Sequence, residues 1–140
     1  MVLTQVVLRF AGSPDDPYGD DGRGYIVVAP VTDDGLIDPV QVAQRPATCT
    51  VVHFLRGVLQ PSTASLERDG AGWRGQLLDQ DASNPVTMLC RWRDQALSIG
   101  QYLEISGEDG VFASYRVSEH FPLGDAPLAI AAARLASADW

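Results

Sequence analysis

Alternation of apolar and polar positions recurs along the chain and predicts strands. Val2, Thr4, Val6, Leu8 and Phe10 interleave with Leu3, Gln5, Val7 and Arg9, giving a first strand whose phase is set by Phe10. Tyr25 to Ala29 is apolar on both phases and predicts a strand central in its sheet, with Pro30 ending its pairing or marking an edge. Thr48 to Leu55 predicts a strand with Cys49, Val51, His53 and Leu55 on one face and Thr50, Val52 and Phe54 on the other. A further strand is expected from Val86 to Trp92.

Two stretches predict hairpins with defined registers. Gly100 to Ile105 and Val111 to Val117 flank Asp109-Gly110. A two-residue loop there would set Ile105 against Ser114 and Leu103 against Arg116, mismatching the apolar sides. A three-residue loop, Glu108-Asp109-Gly110, pairs Ile105 with Ala113 and Leu103 with Tyr115, and places Gly110 at the left-handed third position. In the second hairpin, Ala64 to Leu77, a two-residue Asp69-Gly70 loop is expected to set Leu66 opposite Trp73 and Ala64 opposite Gly75.

Turn formers divide the rest. Gly12 to Gly24 is rich in Gly, Pro, Asp and Ser and predicts a solvated loop. Thr32 to Gly35 predicts a turn, and Asp79 to Pro85 another polar loop. Asp38-Pro39-Val40-Gln41 has an acidic cap, Pro at the first helical position and Gln three residues after the cap, so a short helix is expected there, stopped by Pro46. Phe121 to Gly124 predicts a bend. A C-terminal helix is expected from Asp125 or Ala126 to about Ser137, with Leu128, Ala131, Ala132 and Leu135 on one face. The expected architecture is mainly β: a small antiparallel barrel or sandwich of about six to eight strands, with a short internal helix and a C-terminal helix. Residues 1–120 form the expected β domain, and residues 121–140 a helical extension packed on that domain or on a partner.

Charge and cysteine content narrow the function classes. The chain of 140 residues carries a formal net charge of -8, and its basic residues are all arginine. Such a chain lacks the positive field that drives binding to phosphate backbones, so no nucleic-acid partner is expected. No apolar run reaches the length of a membrane span, and the first ten residues lack the apolar core of a signal peptide, so a cytoplasmic location is expected. With only Cys49 and Cys90, the chain is no disulfide scaffold, and both thiols are expected to be reduced.

The candidate chemistry is sparse. Cys49 and His53 are spaced like a ligand pair, but four residues of strand span about 13 Å, too far for two ligands of one tetrahedral ion. Asp15, Asp16, Asp20 and Asp21 make a better hard-cation candidate, although Ile26 stands where a calcium loop would place its last ligand. No Gly-x-Ser-x-Gly elbow occurs, and a phosphate loop requiring Lys is impossible. No catalytic residue is assigned and no cofactor is expected. Trp73, Arg91, Trp92 and Arg93, with the hairpin turns, are the candidate interaction surface.

Three runs, Tyr25 to Asp38, Cys49 to Phe54, and Gly100 to Ile105 with Asp109-Gly110 and Tyr115 to Val117, together resemble a family of small uncharacterised proteins of alphaproteobacteria. The likeness spans about Val2 to Ser118 and implies one cytoplasmic β domain, with no activity or ligand attached. The combined reading is a non-catalytic interaction or small-ligand-binding module, with a homodimer or other protein partner. Its alternative is a small enzyme or divalent-metal-binding protein using the acidic loop and Asp33-Asp34.

Overall fold

The computed structural model describes residues 3–45, 48–57, 62–77, 88–107 and 110–124. Eight strands follow one another there: β1 (Leu3–Gly12), β2 (Asp20–Pro30), β3 (Thr50–Leu55), β4 (Ser62–Asp69), β5 (Gly72–Leu77), β6 (Met88–Arg93), β7 (Tyr102–Ser106) and β8 (Phe112–Gly124). One short helix, α1 (Pro39–Gln44), lies between β2 and β3. Each strand pairs antiparallel with the next, and β8 returns to β1, so the sheet closes into a barrel. Of the two expected architectures, barrel and sandwich, the chain adopts the barrel.

The alternation explains the interior. Val6, Leu8 and Phe10 of β1, Tyr25, Val27 and Ala29 of β2, and Cys49 and Val51 at β3 point into one buried cluster with Leu66, Trp73, Trp92, Leu103, Ile105, Tyr115 and Val117. Those are the phases expected from the sequence. The opposite phases of β1, β2 and β3 supply a second buried apolar cluster of Val7, Ile26, Val28, Val52 and Phe54. This accounts for the two-sided apolar character of Tyr25 to Ala29.

The β7–β8 hairpin has the expected register, with Ile105 opposite Ala113 and Leu103 opposite Tyr115. Gly110 has a φ of +77°, the left-handed conformation its position demands; Glu108 and Asp109 lie outside the described residues. The β4–β5 hairpin differs. Its loop is Gly70-Ala71, and Leu66 faces Gly75 while Trp73 faces Arg68. Gly70 carries a φ of +57° at the first loop position, as a Gly-first type II′ turn requires, so that turn chemistry outweighs the Asp-Gly alternative. The slip is two residues, which keeps every side chain on its expected face.

Two stretches read as irregular belong to strands. Asp20 to Gly24 is the start of β2, leaving a shorter turn between β1 and β2; the pairing jumps from Arg9↔Gly24 to Phe10↔Asp20 across a bulge. Phe121 to Gly124 is not a bend but the end of β8, held by pairing with β1 through Gln5↔Phe121 and Thr4↔Pro122. The polar loop 79–85, the start of the strand at Val86, Pro46 and the C-terminal helix all lie outside the described residues.

One end of the barrel is packed shut. The α1 cap is as expected: the Asp38 carboxylate accepts from Val40 N at 3.0 Å and Gln41 N at 3.3 Å, and Gln41 Nε2 donates back at 3.1 Å. Ile37 and Val42 join the interior cluster, as does Leu97 from the β6–β7 connection, which is wholly buried. Leu97 N donates to Gly35 O at 2.8 Å, and the His120 ring is hydrogen-bonded to Leu97 O. Beside it, Trp73 Nε1 donates to Asp94 Oδ1 at 3.0 Å, while Arg68 pairs with Asp94 and lies over the Trp73 ring. Leu97 therefore acts as the plug of this end. The Leu97→Ala variant should lose about 2–5 kcal/mol of stability, as for other buried leucines, read as a lower urea midpoint with an unchanged slope.

Candidate functional site

At the opposite end the described residues leave a cavity, and the strands bring polar groups to its mouth. The inward phase of β2 carries Tyr25 and, at the rim, Arg23; that of β3 carries His53; that of β8 carries Ala113 and Tyr115. Together with Leu89, Ile105 and the β1–β2 turn they line a cavity of about 560 Å³. The bulge in β2 helps to position Arg23: residues 21–23, between Asp20 and Gly24, have no partner in β1, while Arg23 stays paired with β3 through Arg23↔Leu55.

A row of rings forms the inner wall. Phe10 and Tyr115 meet edge-on with centroids 5.6 Å apart, Tyr115 and Tyr25 at 5.2 Å, and Tyr25 and His53 at 4.9 Å. The Arg23 guanidinium sits 4.3 Å above the Phe10 centroid, a cation–π contact that fixes its plane at the rim. Tyr25, Tyr115 and Arg23 all line the same cavity, so the two phenol hydroxyls and the guanidinium face one space.

These surroundings set the protonation states. Burial raises the pKa of Tyr25, and the nearby Cys90 and Tyr115 raise it further. Burial likewise raises Tyr115, against the opposing pull of Arg23. Burial and the Arg23 charge both lower His53 from its ordinary 6.5, so its imidazole is neutral at pH 7. Burial pushes the Cys90 thiol up to about 12, against a hydrogen bond from the Gly75 backbone, and burial also raises Cys49. Neither cysteine is a ready thiolate nucleophile, and both are free.

The acidic residues of the β1–β2 turn are dispersed. Asp15 and Asp16 are exposed and border the cavity, whereas Asp20 and Asp21 belong to β2, where Asp20 Oδ1 accepts from Gly22 N at 2.9 Å. Among the described residues no group of three or more His, Cys, Asp or Glu is placed to hold a metal ion. Asp33 and Asp34 are exposed in the turn at the closed end, away from the mouth.

The aromatic and basic cluster is split by the barrel wall. Trp73 and Trp92 are 1% and 3% exposed, paired across β5 and β6 inside the core, so they do not belong to a surface. Arg91 and Arg93 alternate with Trp92 and point outward, where they are exposed and border a depression with Phe112. Side-chain parity along β6 forces this separation.

The sequence assigns Arg23, Tyr25 and Tyr115 no role at a site, and it brings His53 forward only in company with Cys49. Their signal was the presence of polar tips on the inward phase of strands otherwise apolar on that phase. Comparison of the chain with protein-family profiles, curated proteins and solved structures finds no match.

The mouth should shape the pH dependence of stability. The Cys90 thiol has an ordinary pKa of 9.0 and a folded value of about 12. The unfolded chain therefore releases this proton first, and stability, level below about pH 9, should fall as pH rises through that interval. His53 acts in the opposite sense: stability should be full above pH 6.5 and decline as pH falls below it. Urea midpoints at pH 5, 7 and 10 read both limbs, with Cys90→Ala flattening the alkaline one. At pH 8 neither thiol should react with a disulfide reagent until the chain is unfolded.

Proposed function

We propose that this protein is a non-catalytic, small-ligand-binding barrel of a bacterial cytoplasm, and that the mouth of the cavity is its binding site. The observation that carries the reading is the convergence of Arg23, Tyr25, His53 and Tyr115 on a cavity of about 560 Å³, within the range of small-molecule sites. Rigid strands hold these groups, and the opposite end is plugged. A non-catalytic role is favoured because the buried thiol and phenols keep their protons at neutral pH, leaving no activated nucleophile among them. For the location, the support is that no helix among the described residues is long and apolar enough to cross a membrane.

The test is an amide-resolved NMR screen of small organic fragments against the full chain. Binding should move the signals of Tyr25, His53, Ala113 and Tyr115, and Ala113→Trp, which fills the cavity, should abolish the shifts at unchanged fold. If no fragment perturbs the mouth at millimolar concentration, the reading fails.

A second reading, a homodimer or protein partner, is favoured by the outer face of β7 and β8. Tyr102 and Phe112 are 58% and 44% exposed there and border one groove with Arg93. If this face self-associates, light scattering should give a dimer mass that reverts to monomer in Phe112→Ser. A monomer at all concentrations would remove the homodimer.

A further inference from the structure

We propose that the mouth takes small aromatic carboxylates, with the carboxylate held by Arg23 and the Tyr115 hydroxyl and the ring packed between Leu89, Ile105 and the tyrosine edges. The proposal rests on the reading of the mouth as a ligand site and adds the chemical class of the ligand.

Arg23 is the central observation. Its side chain is half-buried on the inward face of β2, and its Nε is buried without a hydrogen-bond partner among the described residues. The ion pairs among those residues join Arg9 to Glu119, Arg68 to Asp94 and Arg74 to Glu67, and none involves Arg23. Its neighbour below is the Phe10 ring, which orients the guanidinium without neutralising it. A planar fork with five donors, fixed on an aromatic face and lacking a protein carboxylate, is matched by a carboxylate brought in by a ligand.

The neighbouring groups have the same preference. Tyr115 lines the cavity with Arg23, so its hydroxyl is on hand to donate to an anion seated there. His53 is uncharged and adds no competing ion. Asp15 and Asp16 also border the cavity but lie exposed on the turn, where the high dielectric of water weakens their repulsion of an anion seated at Arg23. The rest of the lining suits an apolar body: Leu89 and Ile105 are buried, and Ala113 leaves room between them and the ring row. A ligand cation would instead face Arg23 at close range, and a neutral amide would leave the charge uncompensated.

The experiment is an NMR titration of the full chain at low salt with three probes of nearly one shape: benzoate, benzamide and benzylamine. Benzoate should bind at least tenfold more tightly than the other two, shifting the amides of Arg23, Tyr25, His53 and Tyr115. Arg23→Gln should remove that preference, Tyr115→Phe should weaken benzoate several-fold, and Arg93→Gln, on the outer wall, should change nothing. Equal affinity for benzamide and benzoate, or a preference that survives in Arg23→Gln, overturns the carboxylate assignment and leaves the mouth a ligand site of another class. If none of the three probes nor any screened fragment moves the mouth signals, the site reading itself falls and the carboxylate assignment with it. Should Arg23→Gln fail to fold, the benzoate-to-benzamide ratio in the unaltered chain decides the matter alone.

Discussion

Closure of the sheet is the constraint on which the other features depend. Once β8 pairs back onto β1, alternate residues of every strand must share one enclosed interior, and a one-residue slip anywhere would carry an entire strand's apolar phase out of it. The interior is filled unevenly. Trp73, Trp92, Leu66 and Leu97 occupy the lower part, where α1 and the β6–β7 connection complete the seal. Toward the mouth the filling becomes Tyr25, Tyr115 and His53, whose rings line the wall and whose polar atoms need partners. Arg23 stands at this boundary, held over Phe10 by a bulge that lets β2 leave β1 while remaining attached to β3.

The mouth is thus a transition between dry core and solvent, and its electrostatics follow from that position. Burial keeps Tyr25, Tyr115 and Cys90 protonated and His53 neutral, so among the described strand residues of the cavity wall the formal charge is the arginine's. A fixed cation beside neutral donors is an arrangement for holding a charge, whereas acid–base catalysis at neutral pH calls for groups poised to exchange protons there. The carboxylates that could have altered this balance, Asp15 and Asp16, are kept on the turn outside.

Much of the fold was legible because period-two patterning is a direct imprint of a half-buried strand. Phe10 set the phase of β1, His53 fell on the same face as Cys49 and Val51, and matching apolar sides fixed the β7–β8 register to the residue. Local turn chemistry was less decisive. Asp69-Gly70 and Gly70-Ala71 are both allowed two-residue loops, and they keep the same phase, so patterning could not separate them. Asp20 to Gly24 resembles a loop in composition because its strand pairing is interrupted by a bulge, which is a tertiary feature. The site was harder to see. Arg23 and Tyr25 lie on β2, His53 on β3 and Tyr115 on β8, strands far apart in sequence, and only closure brings all three to one rim. The tryptophans failed as surface candidates for a simpler reason: Trp92 and its flanking arginines occupy opposite faces of one strand, and adjacency in sequence is separation in space.

The ladder between β6 and β7 contains two residue pairs, Arg91↔Ser106 and Trp92↔Ile105, whereas β1 and β8 are matched along nearly their whole lengths. A barrel is a hoop, and a hoop yields at its thinnest joint. Here that joint runs beside Ile105, a wall residue of the cavity, so widening it enlarges the cavity from the side while the remaining ladders stay intact. Among the described residues, the wall of the cavity beside Ile105 is therefore the part of the hoop held by the fewest paired residues.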